Sequence, residues 1–437
     1  MGAQPPVQAL PPGSLANTTP APLASTPLSG ETATPLPSAS PNASPSAAAS
    51  VTPAPAATPP LADARLHVPQ GFVVNVVANV GGARELVALP NGDLLVGTST
   101  AQVKLVPNAE SAGAAGAPVT FASLPEGTAH GVAFGGGFVF VATQHHVYRM
   151  PYANGAQSGS ATQIASVRTG PVAPNSDGDV HTTSSVAVSG TNLYVSVASS
   201  CNACVEADPT RATVQRMALD GSGITTQATR MRNAIALATD PASGSVWAGN
   251  AGQDALPAGH PYEFFDPVSA HAKPADYGWP DCEENHVAYR SGANCAKTVA
   301  PALVFPAYST PIAAAFSPAS QSGAYAFPAA WRGGMFVSMH GSWHQASGVS
   351  VVPPHVAFVP FTSAVPARAV SWADPTTQWI DFFTGFQDPS GKRIGRTTGV
   401  AVGSQGSLFV ADDDTGNIYR IRPAGQSGSA VHRAKSR

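Results

Sequence analysis

The sequence is poor in charge, in basic runs and in long apolar stretches. Only 11% of its 437 residues are charged, and the formal net charge is −3. Because no Lys/Arg cluster forms a basic face, nucleic acid and anionic membrane surfaces are not expected as main partners. No apolar run reaches the roughly 18–20 residues that span a bilayer, so no transmembrane segment is predicted.

Several chemical signatures are also missing. No Gly-rich fingerprint follows a strand and opens a helix, which argues against a nicotinamide cofactor. The absence of a Gly-x-Ser-x-Gly elbow argues against an α/β-hydrolase. The acidic runs at 175–179 and 412–416 lack the closing Glu of a twelve-residue calcium loop. No basic segment followed by an apolar segment opens the chain, so no signal peptide is visible.

Cysteine is scarce, and its four copies fall into two close pairs, Cys201/Cys204 and Cys282/Cys295. Two local disulfides are the simplest of the three possible pairings. A four-Cys zinc site is the alternative, although its two arms would normally both be Cys-x-x-Cys. Because Val205 follows Cys204 in place of His, this motif is not a c-type haem site.

Both chain ends differ in composition from the middle. Ala, Pro, Ser and Thr make up 44 of the first 60 residues, and Glu31 is the only charge there. Such a stretch buries too little apolar surface to offset the entropy of ordering it. We therefore predict a disordered leader or tether at 1–62, a folded region at 63–425 and a flexible tail at 426–437. The tether and the cysteine pairs favour a periplasmic or secreted protein.

An internal repeat organises the folded region. A short apolar strand, a turn rich in Gly, Pro, Asn or Ser, and a second apolar strand recur six times. We call the residue at one equivalent position of each repeat its anchor; the six anchors are Val87, Val132, Val186, Ile235, Ala314 and Val400. Successive anchors are 45, 54, 49, 79 and 86 residues apart. Periods near 40–50 with three or four strands each are typical of a β-propeller. The sequence predicts an all-β, six-bladed β-propeller; an eight-strand sandwich or two all-β domains are the alternatives.

The repeat also predicts which side chains share a face. In an antiparallel hairpin, the start of the first strand and the end of the second lie at the same edge. Polar residues cluster at these points in several repeats: His130, His181, Arg232, Asn233 and Arg396 before first strands, and His145, Asn250, His340, Trp343 and Asp413 after second strands. One His or Arg at a strand end is commonly structural, but this convergence favours a site.

Five segments resemble the soluble pyrroloquinoline-quinone-dependent sugar dehydrogenases, most closely their sorbosone-dehydrogenase-like branch. They are His181-Thr-Thr-Ser-Ser-Val-Ala-Val, Arg232-Asn233, Asp276-Tyr-Gly-Trp-Pro280, Arg332-Gly-Gly-Met-Phe-Val-Ser-Met-His-Gly-Ser-Trp343, and Gly395-Arg-Thr-Thr-Gly-Val-Ala-Val402 with Leu408-Phe-Val-Ala-Asp-Asp413. The resemblance spans about 66–424, and members of this family are six-bladed propellers.

The resemblance implies a quinone-dependent oxidoreductase for a sugar or a sugar-derived aldehyde or alcohol. His181 corresponds to the general base, while Arg232 and Asn233 correspond to residues beside the reacting carbonyl of the quinone. Arg396 corresponds to an Arg that pairs with a cofactor carboxylate. His130, His340 and Trp343 are further candidates for cofactor contact.

The same resemblance implies a Ca²⁺ ion held by backbone carbonyls of Gly252 and Gln253. Glucose-oxidising members carry Lys at the position of His340 and Arg at that of Thr398. The expected partners are a small sugar substrate and an electron acceptor that the sequence does not identify. Two other functions remain open: a non-catalytic propeller binding carbohydrate or protein, and a calcium-dependent lactonase-type hydrolase.

Overall fold

The computed structural model describes residues 59–153, 156–157, 160–174, 178–342 and 352–425. Within these ranges the chain forms six sheets of four or five strands, and its helices are four short 3-10 turns. The 3-10 turns are Val268–Ala270, Cys295–Lys297, Ala329–Trp331 and Pro375–Gln378. None of the helices in these ranges has the length and hydropathy of a membrane span.

The strands are numbered in chain order. The first is β1 (Phe72–Asn79). Blade 1 contains β2 (Ala83–Ala88), β3 (Leu94–Thr98), β4 (Gln102–Val106) and β5 (Val119–Ser123). Blade 2 contains β6 (Gly131–Gly135), β7 (Phe138–Ala142), β8 (His146–Ala153), β9 (Ala156–Gln157) and β10 (Thr162–Ser166). Blade 3 contains β11 (Val186–Ser189), β12 (Asn192–Val197), β13 (Thr213–Ala218) and β14 (Thr225–Thr229).

The second half continues in the same way. Blade 4 contains β15 (Ala236–Thr239), β16 (Val246–Asn250) and β17 (Glu263–Asp266). The two-residue β18 (Ala275–Asp276) returns to pair with β14, and β19 (Leu303–Phe305) completes blade 4. Blade 5 contains β20 (Pro311–Ser317), β21 (Gly334–Met339), β22 (His355–Thr362), β23 (Val365–Pro366) and β24 (Ile380–Phe383). Blade 6 contains β25 (Thr397–Val402), β26 (Leu408–Asp412) and β27 (Asn417–Pro423).

The ring is closed by its first strand, because β1 forms the outer edge of blade 6. It pairs antiparallel with β27 from Phe72 opposite Pro423 to Asn79 opposite Asn417. This pairing joins the two ends of the folded chain and leaves no open blade. The predicted six-bladed propeller is confirmed, and each of the six repeats supplies the two inner strands of one blade.

The folded part begins slightly before the predicted boundary at residue 62. Leu61 forms a bridge with Asn75 of β1, and the Ala62 amide donates to the Val74 carbonyl at 3.1 Å. The segments 1–58 and 426–437, where the sequence predicts a leader and a tail, lie outside the described residues.

Adjacent blades meet closely at the axis, which explains glycine at the start of inner strands. A Cβ on Gly131 would lie 2.4 Å from the Ser184 carbonyl of the next blade, and one on Gly399 would lie 2.1 Å from the Arg84 carbonyl. Apolar side chains fill the wedges farther out. Trp247 and Phe409 are 0% and 1% exposed, in agreement with their expected place in the core.

The six inner strands surround a central channel with a cavity of about 260 Å³. Two positions before each anchor residue lies a buried side chain, and these six residues form what we call the channel neck: Glu85, His130, Ser184, Asn233, Ile312 and Thr398. Because inner strands start at the neck, the polar residues that precede them lie beyond it at one face of the propeller. We call this face the mouth.

Candidate functional site

The strand register places the described members of the two sets of polar residues at the mouth. Gly131 pairs with Ala142, and Thr397 pairs with Asp412, so first-strand starts lie opposite second-strand ends. Neighbouring segments are also joined there by backbone hydrogen bonds. The Ser199 amide donates to the Arg232 carbonyl at 2.8 Å, and the Asp413 amide donates to the Arg396 carbonyl at 3.1 Å.

His181 has one ring nitrogen fixed by the protein. Its Nδ1 lies 3.0 Å from the Ser199 carbonyl and 3.0 Å from Ser199 Oγ, whose hydroxyl donates to the Cys201 carbonyl at 2.7 Å. Because both partners of Nδ1 accept, Nδ1 carries the hydrogen and Nε2 keeps its lone pair. Burial, helped by the charge of Arg232, lowers the pKa of His181 to about 3. The ring is therefore neutral at ordinary pH, and Nε2 is unprotonated.

Arg232 is held by a fork of protein acceptors and is 5% exposed. Its Nε donates to the Asn202 carbonyl at 3.0 Å and its Nη1 to the Gly252 carbonyl at 2.6 Å. Its Nη2 donates to Asn202 Oδ1 and to Asp254 Oδ2, both at 2.9 Å. Four directed bonds fix the guanidinium plane, so Arg232 presents a fixed positive charge beside His181.

Asn202 belongs to a small loop closed by the Cys201–Cys204 disulfide. Besides binding Arg232, it accepts from the Asp254 amide at 2.7 Å and donates to the Asp254 carbonyl at 3.0 Å. The Trp279 indole donates to the Asn202 carbonyl at 3.2 Å and packs against Cys201. Trp279 therefore stabilises this loop.

The second cysteine pair is also a disulfide, Cys282–Cys295. It lies in the long insertion of blade 4, beside the buried ring of Tyr277. Tyr277 stacks on Phe264 with ring centroids 5.2 Å apart and donates to Asp266 Oδ2. Both disulfides agree with the simplest pairing from the sequence, and among the described residues no zinc site takes these thiols.

The loop after β16 carries the two positions predicted for Ca²⁺. The Gly252 carbonyl already accepts from Arg232, and the Gly252 amide donates to Glu263 Oε1 at 3.3 Å. Burial raises the pKa of Glu263 to about 8. Gln253 is 8% exposed, and its Oε1 has no hydrogen-bond partner among the described residues. The Gln253 side-chain oxygen is thus available to a ligand, whereas Ca²⁺ takes six to eight oxygens in all.

Asn233 lies on the neck beside Arg232. Its amide donates to Asn250 Oδ1 at 3.0 Å, while its carbonyl accepts from the Ala251 amide at 2.9 Å. Its side-chain Oδ1 is buried and has no partner among the described residues. A buried acceptor without a donor is costly, so this position suits a ligand that brings its own polar group.

Across the mouth, Arg84, His340, Asp413 and Arg396 form a second charged group. Arg84 Nη1 lies 2.6 Å from Asp413 Oδ2, and His340 Nε2 lies 3.1 Å from Asp413 Oδ1. Burial, reinforced by the charge of Arg396, lowers the pKa of His340 to about 4 despite the hydrogen bond to Asp413. Burial alone would raise the pKa of Asp413, but His340 and the two arginines lower it overall.

Arg396 makes fewer contacts than Arg232. Its Nε donates to the His340 carbonyl at 3.0 Å and its Nη2 to the Gly341 carbonyl at 3.2 Å. Three of its five N–H groups therefore have no acceptor among the described residues. Burial and then the charge of Arg393 lower the pKa of Arg396 to about 10, so it stays cationic. These free donors suit an anionic ligand such as a carboxylate.

His130 and Arg168 connect the two charged groups. His130 is 1% exposed and its Nδ1 lies 3.3 Å from the Ser184 carbonyl. Burial, reinforced by Arg84, lowers the pKa of His130 to about 3. Arg168 donates to the Gln144 carbonyl and to Ser184 Oγ, both at 2.6 Å, and its charge acts on both His130 and His181.

Glu85 closes the neck with a hydrogen-bond chain. Its Oε2 accepts from the Val132 amide at 3.3 Å, and its Oε1 contacts Ser185 Oγ, which in turn contacts the Ile235 carbonyl. Because that carbonyl only accepts, the Ser185 hydroxyl donates to it and accepts from a protonated Glu85. Burial raises the pKa of Glu85 to about 8, in agreement with this arrangement.

Arg84, Glu85 and Arg168 were not among the residues predicted from the sequence, and Asn202 was predicted only as part of the segment 201–204 at the mouth. Aligning the repeats on their anchors would have found Glu85, since it occupies the position of His130 and Asn233. Arg84 directly precedes it. Arg168 lies in a loop of variable length, so the repeat gives no signal for it. Trp343, predicted as a cofactor contact, lies outside the described residues.

The mouth thus joins a neutral imidazole with a free Nε2, several fixed guanidinium groups and an unpartnered carboxamide oxygen. A planar polycarboxylate such as pyrroloquinoline quinone fits these groups, since Arg396 has free donors and Asn233 a free acceptor. The imidazole can take a proton from a hydroxyl group, while the cations favour negative charge developing nearby.

Comparisons with known proteins agree with this fold. A family model described as TrAA12-like matches residues 281–424, and no curated protein matches the chain. The solved structures that are similar include the holo form of the PQQ domain of pyranose dehydrogenase from Coprinopsis cinerea (18% identity, TM-score 0.65, 84% of this chain and 98% of that chain). Another is the calcium structure of a Carbohydrate-Active Enzymes Family AA12 protein from Trichoderma reesei (19% identity, TM-score 0.66, 84% of this chain and 98% of that chain).

The PQQ-bound aldose sugar dehydrogenase from Streptomyces coelicolor is also similar, with 17% identity and a TM-score of 0.52 over 82% of this chain and 99% of that chain. Structural neighbours of this chain therefore include PQQ-dependent sugar dehydrogenases. At such low identity the likeness shows that this chain shares their propeller fold.

Proposed function

We propose that this protein is a PQQ-dependent oxidoreductase that oxidises a sugar or a sugar-derived aldehyde or alcohol at the mouth of the propeller. The observation that carries the proposal is the state of His181. Its Nδ1–H is held by Ser199, its Nε2 has no hydrogen-bond partner among the described residues, and its low pKa keeps the ring neutral. A free, unprotonated nitrogen is what a general base for a hydroxyl proton requires.

The proposed roles follow from the contacts. His181 Nε2 takes the proton of the substrate hydroxyl as the hydrogen on the same carbon leaves with its electron pair. PQQ, which Arg396 and Asn233 would hold, would supply the acceptor for that hydride. Arg232, fixed by Asn202 and Asp254, stabilises negative charge developing beside His181. Because most of its N–H donors are already bonded to the protein, Arg232 acts mainly through the electrostatic effect of its charge and not by a hydrogen bond to a ligand.

The cofactor contacts are assigned to the residues with unused hydrogen-bonding groups. Arg396 offers three free N–H donors to a carboxylate, and Asn233 offers a buried acceptor at the neck. His340 and His130 are neutral rings at the mouth, so they can contact a flat ligand without adding charge to the site. The structural neighbours that bind PQQ on the same fold support this assignment.

Calcium at Gly252 and Gln253 remains a prediction. Gln253 Oε1 supports it as a free oxygen, but the Gly252 carbonyl is engaged by Arg232. No step above uses the ion. A sorbosone-like substrate and a periplasmic or secreted location also remain part of the proposal, and they rest on the sequence resemblance and the tether-like first 62 residues.

A turnover assay tests the proposal. Purified protein is mixed with PQQ, with and without Ca²⁺, and reduction of an artificial dye is followed after adding aldoses, aldose-derived alcohols and sorbosone. We expect dye reduction that depends on PQQ and on a sugar. Calorimetry with PQQ alone gives the second readout. A folded protein that binds no PQQ would refute the proposal, and lactone hydrolysis without quinone would favour the lactonase alternative.

A further inference from the structure

A separate pocket lies at the rim of the mouth, between the loops of blades 4 and 5. It has a cavity of about 290 Å³, and its walls include His260, Tyr262, Tyr308 and Trp372. Tyr262 directly precedes β17 and Tyr308 follows β19, so both lie at the mouth end of blade 4. None of these residues takes part in the chemistry proposed for His181.

Two of the walls are aromatic rings fixed against each other. Tyr262 and Trp372 meet edge to face, with centroids 5.1 Å apart and an interplanar angle of 63°. The Tyr262 hydroxyl donates to the Trp372 backbone carbonyl at 2.6 Å, which uses its hydrogen and holds the ring in place. Rigid aromatic faces of this kind offer apolar contact area at little entropic cost.

The third wall supplies a directed polar group. His260 Nδ1 lies 2.7 Å from Glu283 Oε1, and the Glu283 side chain is 1% exposed while that of His260 is 40% exposed. The carboxylate holds the hydrogen on Nδ1, so Nε2 is the outer nitrogen and accepts from a ligand hydroxyl.

These features select a ligand class. The lining contains neither Lys nor Arg, which disfavours an anion, and the Glu283 carboxylate that contacts His260 is buried. The volume is near the lower limit for small-molecule sites, which suits a single ring. A neutral ring with an apolar face and hydroxyl groups at its edge matches both the aromatic walls and His260 Nε2. A pyranose has this form.

The pocket also adjoins the mouth. Tyr308 lies within electrostatic range of Arg232. The segment that contains Tyr308 is bonded to the segment that contains His340, because the His340 amide donates to the Thr310 carbonyl at 2.9 Å and the Gly341 amide to the Ser309 carbonyl at 2.9 Å. The pocket therefore adjoins the segments that carry Arg232 and His340.

We propose that this pocket binds one pyranose ring, as a saccharide subsite beside the mouth. Binding of the ring needs no quinone. Only the role of the pocket in oxidation of an attached sugar unit rests on the proposed function.

Calorimetry on the full chain without quinone tests the subsite, with D-glucose and cellobiose as probes. We expect both to bind wild type, and Trp372→Leu to weaken binding by about tenfold through loss of the flat wall. The Tyr262 hydroxyl bonds the backbone at 372, so this contact survives the substitution. Trp372→Phe restores a flat ring and should recover most of the affinity.

Trp331→Leu is the matched control. Trp331 is a half-buried indole packed against Phe358 and Phe382 of blade 5, outside the pocket lining. It should leave saccharide affinity unchanged. His260→Asn gives an independent variant that keeps a donor for Glu283 but removes Nε2, and we expect severalfold weaker binding.

The outcomes separate this proposal from the proposed function. If wild type binds neither probe, or if Trp372→Leu and Trp331→Leu bind equally, the subsite is wrong even when PQQ-dependent dye reduction is found. Binding of phenol in place of both saccharides would also overturn it. If saccharides bind as expected but no dye is reduced, the subsite stands and the redox proposal fails.

Discussion

The two sides of the mouth hold their arginines in different ways. On the side of blades 3 and 4, Arg232 makes four hydrogen bonds to Asn202, Gly252 and Asp254 and is 5% exposed. On the side of blades 5 and 6, Arg396 donates only to two backbone carbonyls. A guanidinium group whose N–H donors are mostly bonded to the protein acts as a fixed charge, whereas one with unused donors can contact a ligand. We therefore expect the first side to govern rate and the second to govern affinity.

The largest expected effect is on the rate side, at His181. Asn at this position keeps a donor for the Ser199 carbonyl but lacks the Nε2 base. We expect His181→Asn to lower kcat by about 10²–10⁴-fold with little change in PQQ affinity. Steady-state dye reduction and calorimetry measure the two quantities.

On the side of blades 5 and 6, His340→Gln is the variant to compare with His181→Asn. The side-chain amide of Gln can still donate to Asp413. This variant should change PQQ affinity more than kcat. Equal loss of kcat in both variants would contradict the division between the two sides.

Glu85 joins the two sides at the neck, and its substitution should change how stability depends on pH. The pKa of Glu85 is raised, so the proton it holds favours the folded state fully below about pH 4.5, and this stability is lost as pH rises to about 8. In Glu85→Gln, the amide still donates to Ser185 and accepts from Val132. Relative to this variant, the free energy of unfolding of wild type should fall by about 1.4 kcal/mol per pH unit across that range.

Urea unfolding of both proteins at several pH values measures the difference. Glu110→Gln is the matched control, since Glu110 is also buried but contacts Ser404 and Ser407 of blade 6 outside the neck. Parallel stability curves for wild type and Glu85→Gln would show that Glu85 is ionised in the folded protein.

Substitutions of the two arginines should differ in their effect on the free energy of unfolding. Arg232→Gln removes the guanidinium that donates four hydrogen bonds to Asn202, Gly252 and Asp254, and we expect a loss of about 2 kcal/mol in the free energy of unfolding. Arg396→Gln loses only two hydrogen bonds to backbone carbonyls, so its stability should change less. Its PQQ affinity should fall by about tenfold instead. Urea titrations and calorimetry on both variants give the comparison, which fails if Arg396→Gln is the less stable protein.

The smallest effect is expected at Asn202, which positions Arg232. Asn202→Ala removes three side-chain hydrogen bonds to Arg232 and Asp254, and we expect a loss of about 1–2 kcal/mol. If Asn202 acts through the fixed charge of Arg232, kcat should fall severalfold while PQQ affinity holds. Asn202→Asp keeps the acceptor for Arg232 and should recover part of kcat. A loss of stability with unchanged kcat would reduce Asn202 to a structural residue.

The repeat pattern predicted the fold because propeller blades are local structures. Each hairpin, such as Gly131–Thr143, has its strand signal, its turn and its partner within about fifteen residues, so the period of the sequence is the period of the fold. Hairpin geometry then predicted that residues such as His181 and Arg396 lie at one face. Closure by β1 was not predicted, since its partner β27 is more than 300 residues away and alternation alone does not identify it.

The sequence by itself determined the number of blades and which strand-end residues, such as His181 and Arg396, lie at the mouth, because both follow from short-range strand patterns. Only the tertiary structure decided how those residues are used. Burial keeps His181 neutral. Asn202, from a loop closed by a disulfide, accepts hydrogen bonds from Arg232, whereas Arg396 keeps donors without an acceptor among the described residues. Desolvation and hydrogen bonding depend on every neighbour in space, and loops of unequal length bring these neighbours together without any period in the sequence.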